Sequence, residues 1–206
     1  IMNETSEQIP REARGKIKTL DALAAIADDA RARGLKVVLC HGVYDLVHMG
    51  HVRHLEAARR EGDVLIVTTT TDHLVNKGPG RPIFTEHLRA EMLAALEYVD
   101  WVGISEAPTA EAMLDIIKPD VYVKGADYEN PDDDATGNIV KERGAVEKHG
   151  GRLVFTKDIS FSSSELINKY LDVYDRPLRD YLDGHRGSST VETITQLLES
   201  VEDYRV

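Results

Sequence analysis

Five short apolar runs, separated by stretches with helical character, recur along the middle of this 206-residue chain. The runs are rich in Val, Ile and Leu and cover residues 36–41, 63–69, 99–104, 120–124 and 152–156. Short continuous apolar runs are typical of strands buried on both faces of a parallel sheet. The helical stretches between them cover residues 50–61, 86–98, 109–118 and about 137–149. This alternation predicts a doubly wound α/β fold with a parallel sheet of about five strands.

The chain outside this alternation is expected to form two smaller parts. A helix at about residues 20–33 belongs to an N-terminal extension, residues 1–33, and the alternation itself makes residues 34–170 the main domain. Beyond it the composition turns polar, and Gly184–Thr190 is typical of a linker. The last helix carries an apolar stripe, so we expect residues 171–206 to be a helical tail that packs on the core, on a second subunit or on another domain.

The charge balance narrows the classes of partner. The chain has 36 acidic and 25 basic residues, a net charge of −11 and a pI near 5.2. This excludes a broad surface for nucleic acid or an anionic membrane, although a local basic pocket can still bind phosphate. The single cysteine, Cys40, excludes an intramolecular disulfide and a zinc site built on cysteine pairs. No segment has the ~20 apolar residues of a membrane span and the polar start is unlike a signal peptide, so we expect a cytoplasmic protein.

The segment after the first apolar run carries the most specific pattern in the chain. In His48-Met49-Gly50-His51, two imidazoles lie three positions apart where a strand gives way to a helix. Ligands of doubly wound sheets bind beyond the carboxyl ends of the strands, and Gly42 and Gly50 let an anion approach the backbone closely. A helix N-terminus adds N–H donors, and residues three apart share a helical face. We therefore expect both histidines to donate hydrogen bonds to one triphosphate; the alternative is one core and one solvated histidine.

Charged residues follow the second and fourth apolar runs at the same edge of the predicted sheet. Lys77 and Arg81, with two glycines between them, suit contact with phosphate or are ordinary exposed cations. Lys124 precedes Gly125 at the start of the segment Lys124–Tyr128, so a further ammonium is expected at this edge.

Three further features have competing interpretations. Asp45, in the turn before the histidines, either holds the loop by accepting turn N–H groups or orients a histidine or magnesium. Arg89 lies on a helix with an apolar face, where it contacts substrate or extends along the surface to water. Ser162–Ser164 begin a helix, with Ser162 and Glu165 forming a capping box, and the same N-terminus can bind phosphate.

These residues resemble the signature of the cytidylyltransferase-like nucleotidyltransferases. The family pattern Gly-x-Phe-Asp-x-x-His-x-Gly-His corresponds to Gly42-Val-Tyr-Asp-Leu-Val-His-Met-Gly-His51, with Tyr44 in place of Phe. Within the family the chain is most similar to the nucleotidyltransferase domain of ADP-heptose synthases, and the likeness covers residues 34–170. It implies a Rossmann-like sheet, a homodimer, and catalytic roles for four residues: His48, His51, Lys77 and Lys124.

The resemblance also implies which residues contact the substrates. Nucleotide-binding residues are expected in the first turn, after the fourth run and at the serine-rich helix: Gly42, Val43, Tyr44, Asp45, Gly50, Gly125, Asp127, Tyr128, Ser162, Ser163 and Ser164. Arg81 and Arg89 are the expected substrate-binding residues. Magnesium (Mg²⁺) is expected on the triphosphate rather than on protein ligands.

The expected reaction joins an NTP, with ATP preferred, to a sugar 1-phosphate of the heptose type and releases pyrophosphate. Two alternatives are a CTP-dependent transfer to a polyol or amino-alcohol phosphate and a catalytically silent nucleotide-sensing module. A zinc site on His41, His48 and His51 is weaker, because no further Cys or His completes the ligand set. The last residues of the chain resemble the approach to a ribokinase-type sugar kinase, so a fused or partner kinase domain is expected.

Overall fold

The predicted alternation of strands and helices is present in the structure, a computed structural model that describes residues 12–77, 80–107, 109–128 and 138–156. Within these ranges the strands are β1 (Ile17–Lys18), β2 (Val37–Gly42), β3 (Val64–Thr70), β4 (Trp101–Ser105), β5 (Val121–Gly125) and β6 (Arg152–Thr156). The helices are α1 (Glu12–Gly15), α2 (Leu20–Ala32), α3 (Met49–Arg59), α4 (Glu86–Ala94), α5 (Ala110–Ile117) and α6 (Ile139–Lys148). Short 3₁₀ turns follow β3 and β5, at Asp72–Leu74 and Ala126–Tyr128.

The strands form one six-stranded parallel sheet in the order β1-β4-β3-β2-β5-β6. β2 lies between β3 and β5, so that Val38 is paired with Leu65 on one side and with Val121 on the other. The chain builds outward from β2 through β3 to β4 and then returns to the other side of β2. This reversal creates a topological switch point between the carboxyl ends of β2 and β5, where doubly wound sheets bind ligands. The predicted fold class is confirmed.

Strand β1 is an addition that the sequence pattern does not predict. It has only two residues, which is too short to show a periodicity, and Ile17 pairs with Val102 at the edge of the sheet. The neighbouring Lys16 donates to the carbonyl oxygens of Leu96 and Val99 at 3.2 and 2.8 Å. These bonds fix the segment after α4, which ends at Ala94 and not at the predicted residue 98.

Helices cover both faces of the sheet, because successive side chains of a strand point to opposite sides. On one face, Val38 and Cys40 of β2 pack with Leu55 of α3 and Leu93 of α4. On the other face, Leu39 packs in a second buried cluster with residues of α2, α5 and α6. The two clusters make the sheet the centre of the core and fix α3 on one side of β2.

The fit between α2 and the sheet leaves no room for a side chain at Gly103 of β4. A Cβ at this position would lie 2.5 Å from Cδ1 of Leu23, which is fully buried. Because interiors are close-packed, the glycine allows the helix to approach the strand closely.

Some sequence-based predictions concern residues outside the described ranges. The helical tail, residues 171–206, and the serine-rich helix start at Ser162–Ser164 both lie there and stay predictions. Among the helices that the structure describes, none is both long and apolar enough to cross a bilayer.

Candidate functional site

Three segments meet at the carboxyl edge of the sheet, around the switch point. The loop after β2 ends at His48, and α3 carries His51 in its first turn, so both histidines of the His-x-Gly-His pattern lie there. The loop after β3 carries Lys77 and Arg81, Gly125 ends β5, and Tyr128 lies in the turn that follows. The parallel order of the strands therefore places at one edge predicted site residues that are far apart in the sequence.

The two histidines form a reciprocal cap at the N-terminus of α3. The N–H of Gly50 donates to Nδ1 of His48 at 3.1 Å, and the N–H of His48 donates to Nδ1 of His51 at 3.4 Å. The ring centroids are 4.0 Å apart. A ring nitrogen that accepts a hydrogen bond carries no proton, so the neutral imidazoles are protonated on Nε2. The cap thus fixes the tautomer of both rings at a helix end suited to anions.

Burial keeps both imidazoles uncharged near neutral pH. Partial burial lowers the pKa of His48 below its usual value. Burial, followed by the charges of His48, His54 and Lys77, lowers the pKa of His51 to about 3, against the opposing effect of a backbone hydrogen bond to Leu46. At pH 7 the two rings therefore act as neutral hydrogen-bond donors and not as proton donors.

Tyr44 packs against this pair from the side. Its backbone has a φ of +51°, which is uncommon for an aromatic residue, and its ring meets that of His51 edge-on with centroids 5.3 Å apart. A Cβ on Gly42 would lie 3.2 Å from the tyrosine ring. Gly42 therefore leaves space for Tyr44, and Tyr44 in turn shields one side of His51.

Asp45 joins the loop after β2 to the loop after β3. One carboxylate oxygen accepts from Nε of Arg81 at 2.5 Å, and the other accepts from the N–H groups of Ile83 and Phe84 at 2.7 and 3.3 Å. The Asp45 side chain is fully buried and that of Arg81 is 2% exposed. Of the two roles that the sequence allows for Asp45, the structure shows the one in which it holds the loop.

Arg81 retains one group that the protein does not use. Its Nη2 is buried and has no hydrogen-bond partner among the described residues. Lys77 lies at the exposed rim of the same loop, where partial desolvation and then the charge of Arg81 lower its pKa, while Asp45 raises it. Two cations and one carboxylate therefore lie together beside the histidines. An unpartnered N–H of a buried guanidinium favours an anionic ligand there.

Arg89 belongs to the framework of the site. It is fully buried, and its five N–H groups donate to five acceptors at 2.5–3.0 Å: Phe84 O, Val43 O, Thr69 Oγ1, Thr70 O and Asp72 Oδ1. Since a guanidinium has five N–H donors, none is left for a substrate. Neither sequence-based interpretation of Arg89 matches this geometry: the side chain does not reach water, and its donors tie the ends of β2 and β3 to α4.

Lys124 is paired with a residue that no sequence motif indicated. Its Nζ lies 3.0 Å from Oε2 of Glu142 in α6, and both side chains are at most one-tenth exposed. The hydroxyl of Tyr122 donates to the same carboxylate oxygen at 3.1 Å, and the ammonium lies 4.4 Å from the ring centroid of Tyr128. The predicted cation at the end of β5 is therefore present, but a buried acid balances its charge.

Two partly buried histidines, His41 and His54, which were not among the predicted nucleotide-site residues, are held by threonines. His41 bonds through Nδ1 to Thr68 at 3.0 Å and through Nε2 to Thr70 at 3.3 Å. His54 bonds through Nδ1 to Thr156 at 2.7 Å. The threonine run at the end of β3 is the sequence signal that could have indicated the first of these contacts. Within the described ranges, no three His, Cys, Asp or Glu side chains are grouped so as to hold a metal.

Of the predicted nucleotide contacts that remain, Gly125 is described by the structure, whereas the Asp127 side chain and the serines are not. Beside Gly125, the described residues leave open space, with no atom within 4 Å of where a Cβ would lie. The side chain of Asp127 and the residues Ser162–Ser164 lie outside what the structure describes. Their roles stay predictions.

Comparisons with known proteins place the chain beside nucleotidyltransferase domains in sequence. The model of the cytidylyltransferase-like family matches residues 39–169. The bifunctional protein HldE of Geobacter metallireducens is 38% identical over 166 residues, which are 79% of this chain and 32% of that protein. The HldE of Alcanivorax borkumensis is 47% identical over 117 residues, 56% of this chain and 24% of that protein. The chain thus spans about a third, or less, of the length of these relatives.

Solved structures agree on the fold. The lipopolysaccharide core biosynthesis protein of Thermoplasma volcanium is 25% identical with a TM-score of 0.52, over 62% of this chain and 100% of that one. Pantoate-beta-alanine ligase of Francisella tularensis, at 17% identity and a TM-score of 0.53 over 89% of this chain and 85% of that one, shares the fold alone. With the imidazole pair at the switch point and the family match over residues 39–169, the chain belongs to the cytidylyltransferase-like family of nucleotidyltransferases.

Proposed function

We propose that this protein transfers the adenylyl group of ATP to a sugar 1-phosphate of the heptose type, giving an ADP-sugar and pyrophosphate. The observation that carries the proposal is the pair of neutral imidazoles capping α3 at the switch point, beside a buried guanidinium with an unused N–H. These groups form a receptor for phosphate oxygens at the position where the fold binds ligands. Because the net charge is −11, we expect phosphate to bind in a local pocket such as this one rather than on a broad cationic surface.

The chemistry requires little from the protein besides position and charge. A sugar phosphate has a second pKa near ~6, so at neutral pH the acceptor is a dianion and needs no general base. One of its oxygens bonds to the α-phosphorus of ATP, while the bond from that phosphorus to the bridging oxygen breaks and pyrophosphate leaves with the electron pair. Negative charge develops on the oxygens around the α-phosphorus, where preorganised donors stabilise the transition state most.

The geometry suggests how the site is divided. The switch point lies between β2 and β5, so the nucleotide belongs on that side, near Lys124, Gly125 and Tyr128. The loop after β3 lies on the opposite side of β2, where Lys77 and Arg81 would hold the acceptor phosphate. His48 and His51 lie between the two sides, at the transferring phosphorus. Ser162–Ser164 are proposed to anchor nucleotide phosphates.

Magnesium enters this proposal as part of the MgATP substrate. Both oxygens of Asp45 are occupied by donors of the protein. The carboxylate of Glu142 is likewise engaged, by the ammonium of Lys124 and the hydroxyl of Tyr122. Such a donor set suits the phosphate oxygens of a metal–nucleotide complex rather than a resident cation.

The choice of ATP and of a heptose acceptor is supported by the relatives. The HldE proteins are bifunctional heptose kinase/adenylyltransferase proteins, and a fold neighbour functions in lipopolysaccharide core biosynthesis. We further propose that a sugar kinase, fused or separate, supplies the sugar 1-phosphate, and that the enzyme is a cytoplasmic homodimer. Light scattering of the purified protein would test the dimer.

The test is pyrophosphate release from ATP, CTP, GTP or UTP with magnesium, against heptose 1-phosphates, other sugar 1-phosphates and glycerol 3-phosphate. We expect release only with ATP and a sugar 1-phosphate. Release with CTP and a polyol phosphate would instead make the protein a cytidylyltransferase. Tight nucleotide binding without release on any acceptor would favour a sensing module.

A variant tests the division of the site. Arg81→Met should raise the KM for the acceptor by about tenfold or more, because it removes a charge-assisted contact, while the KM for ATP stays within about twofold. Arg33→Met, at an exposed pair 3.2 Å from Asp29, is the matched control and should change neither constant. A rise in the KM for ATP alone would place Arg81 at the triphosphate.

A further inference from the structure

The ammonium of Lys124 is directed toward α6, where it lies 3.0 Å from Oε2 of Glu142. Besides burial, its charge also contributes to the lowered pKa values of His41 and His54. Residues two apart in a strand share a face, and Tyr122 packs in the cluster formed with α2, α5 and α6. Val121 and Val123 face the opposite cluster, which contains Leu55 of α3. Lys124 therefore extends to the α6 face of the sheet, whereas α3 and its imidazole cap lie on the other face.

The partner of Lys124 keeps it on that face. Glu142 is 5% exposed and accepts from two groups, the ammonium of Lys124 at 3.0 Å and the hydroxyl of Tyr122 at 3.1 Å. If Lys124 turned toward a bound triphosphate, a buried carboxylate would lose its counter-charge. Leaving one member of a buried ion pair unpaired is strongly unfavourable, so the pair is expected to stay closed when nucleotide binds.

The closed pair in turn supports the turn after β5. The ammonium lies 4.4 Å from the ring centroid of Tyr128, within the range of a cation–π contact. Thr156 of β6 donates to the carbonyl oxygen of Lys124 at 3.3 Å, which holds the backbone at the same point. Glu142, Lys124 and Tyr128 thus form a chain of contacts from α6 to the edge of the nucleotide side.

We propose that Glu142 is a positioning residue: through its buried ion pair with Lys124 it holds Tyr128 and the turn Ala126–Tyr128 in the conformation that binds the nucleotide. Lys124 then acts on nucleotide affinity through Tyr128 and does not contact the transferring phosphate. This inference rests on the proposed function for the identity of the nucleotide, ATP.

The test compares four variants by ATP dissociation constant, the KM of each substrate, and kcat. Glu142→Gln keeps the shape of the side chain and removes its charge; Lys124→Gln leaves the carboxylate unpaired; the double variant E142Q/K124Q restores a neutral hydrogen-bonded pair. Glu147→Gln, an exposed residue of the same helix, is the matched control. Melting temperatures are recorded for all variants, so that loss of folding is recognised.

We expect E142Q and K124Q each to weaken ATP binding by about tenfold, since a displaced binding turn costs affinity, with kcat and acceptor KM within about twofold. The double variant should recover more than half of the loss on a logarithmic scale, and E147Q should match the wild type. Tighter ATP binding in E142Q, or a large fall in kcat in K124Q without recovery in the double variant, would show that Lys124 contacts phosphate directly. A lower melting temperature in E142Q with unchanged ATP affinity would make the pair merely structural.

The binding measurement also separates this inference from the proposed function. If the wild type binds ATP but transfers it to no acceptor, the proposed reaction fails and the dissociation constants still decide the role of Glu142. If the wild type binds no ATP, both proposals are wrong.

Discussion

Replacing Arg89 with methionine should be among the most destabilising single changes in this protein. The side chain is fully buried and makes five hydrogen bonds. Arg89→Met removes a donor from two backbone carbonyls at the ends of β2 and β3, from one carbonyl before α4, from a threonine hydroxyl and from the Asp72 carboxylate. The Val43 carbonyl keeps the hydroxyl of Thr69 as a donor at 2.8 Å. Breaking a buried charged pair costs about 3–5 kcal/mol. Because the Asp72 side chain is 36% exposed and can rehydrate, we expect about 3–4 kcal/mol.

The assay is urea unfolding followed by circular dichroism, with thermal unfolding as a second measure. A loss of this size corresponds to a fall in Tm of roughly 6–16 °C for a chain of this length. Arg89→Lys keeps the charge but replaces a fork of five donors with one ammonium, so it should lose about half as much stability. Arg33→Met removes only an exposed pair and should lie within about 0.5 kcal/mol of the wild type. If R89M lost less than about 1 kcal/mol at unchanged m-value, the network would not carry the stability assigned to it here.

Two further predictions concern the histidines. His51→Ala should lower kcat by ~10²-fold, because a preorganised hydrogen-bond donor is lost, and this is measured by turnover. The same variant should lower the free energy of unfolding by only about 1 kcal/mol through loss of the cap, which urea unfolding measures. Near-normal turnover would remove His51 from the mechanism. Burial is the main reason why the pKa values of His41 and His51 are lowered to about 3 and that of His54 to about 4. Between these values and about 6.5 the unfolded chain binds more protons, so stability should fall as the pH drops below 6.5, by at most about 1.4 kcal/mol per pH unit for each histidine. Urea unfolding at pH 7, 6 and 5 measures how the free energy of unfolding changes with pH. His54→Gln should make this pH dependence shallower than in the wild type. An unchanged pH dependence in H54Q would contradict a lowered pKa for His54.

The elements that the sequence predicts well are those with a local cause. Each long strand is a continuous apolar run, and such a run is visible in one segment of chain. The turn from β2 into α3 is marked by its glycines and by two imidazoles three residues apart, and the structure shows that the same spacing forms the cap. Chain order and hydrophobic pattern were therefore sufficient for the fold class and for the position of His48 and His51.

The partners of the charged residues were decided only by the tertiary structure. Arg81 and Asp45 meet because β2 and β3 are neighbours, and Lys124 meets Glu142 because α6 packs over β5. Arg89 carries an ordinary helical pattern in the sequence, yet its acceptors come from three separate segments, at Val43, at Thr69–Asp72 and at Phe84. By itself the sequence determined the five long strands, the helices between them and the imidazole pair, because these depend on neighbours within a few residues. Only the fold decided which cations are left for a substrate, because ion pairing in the buried site depends on residues that are distant in the chain.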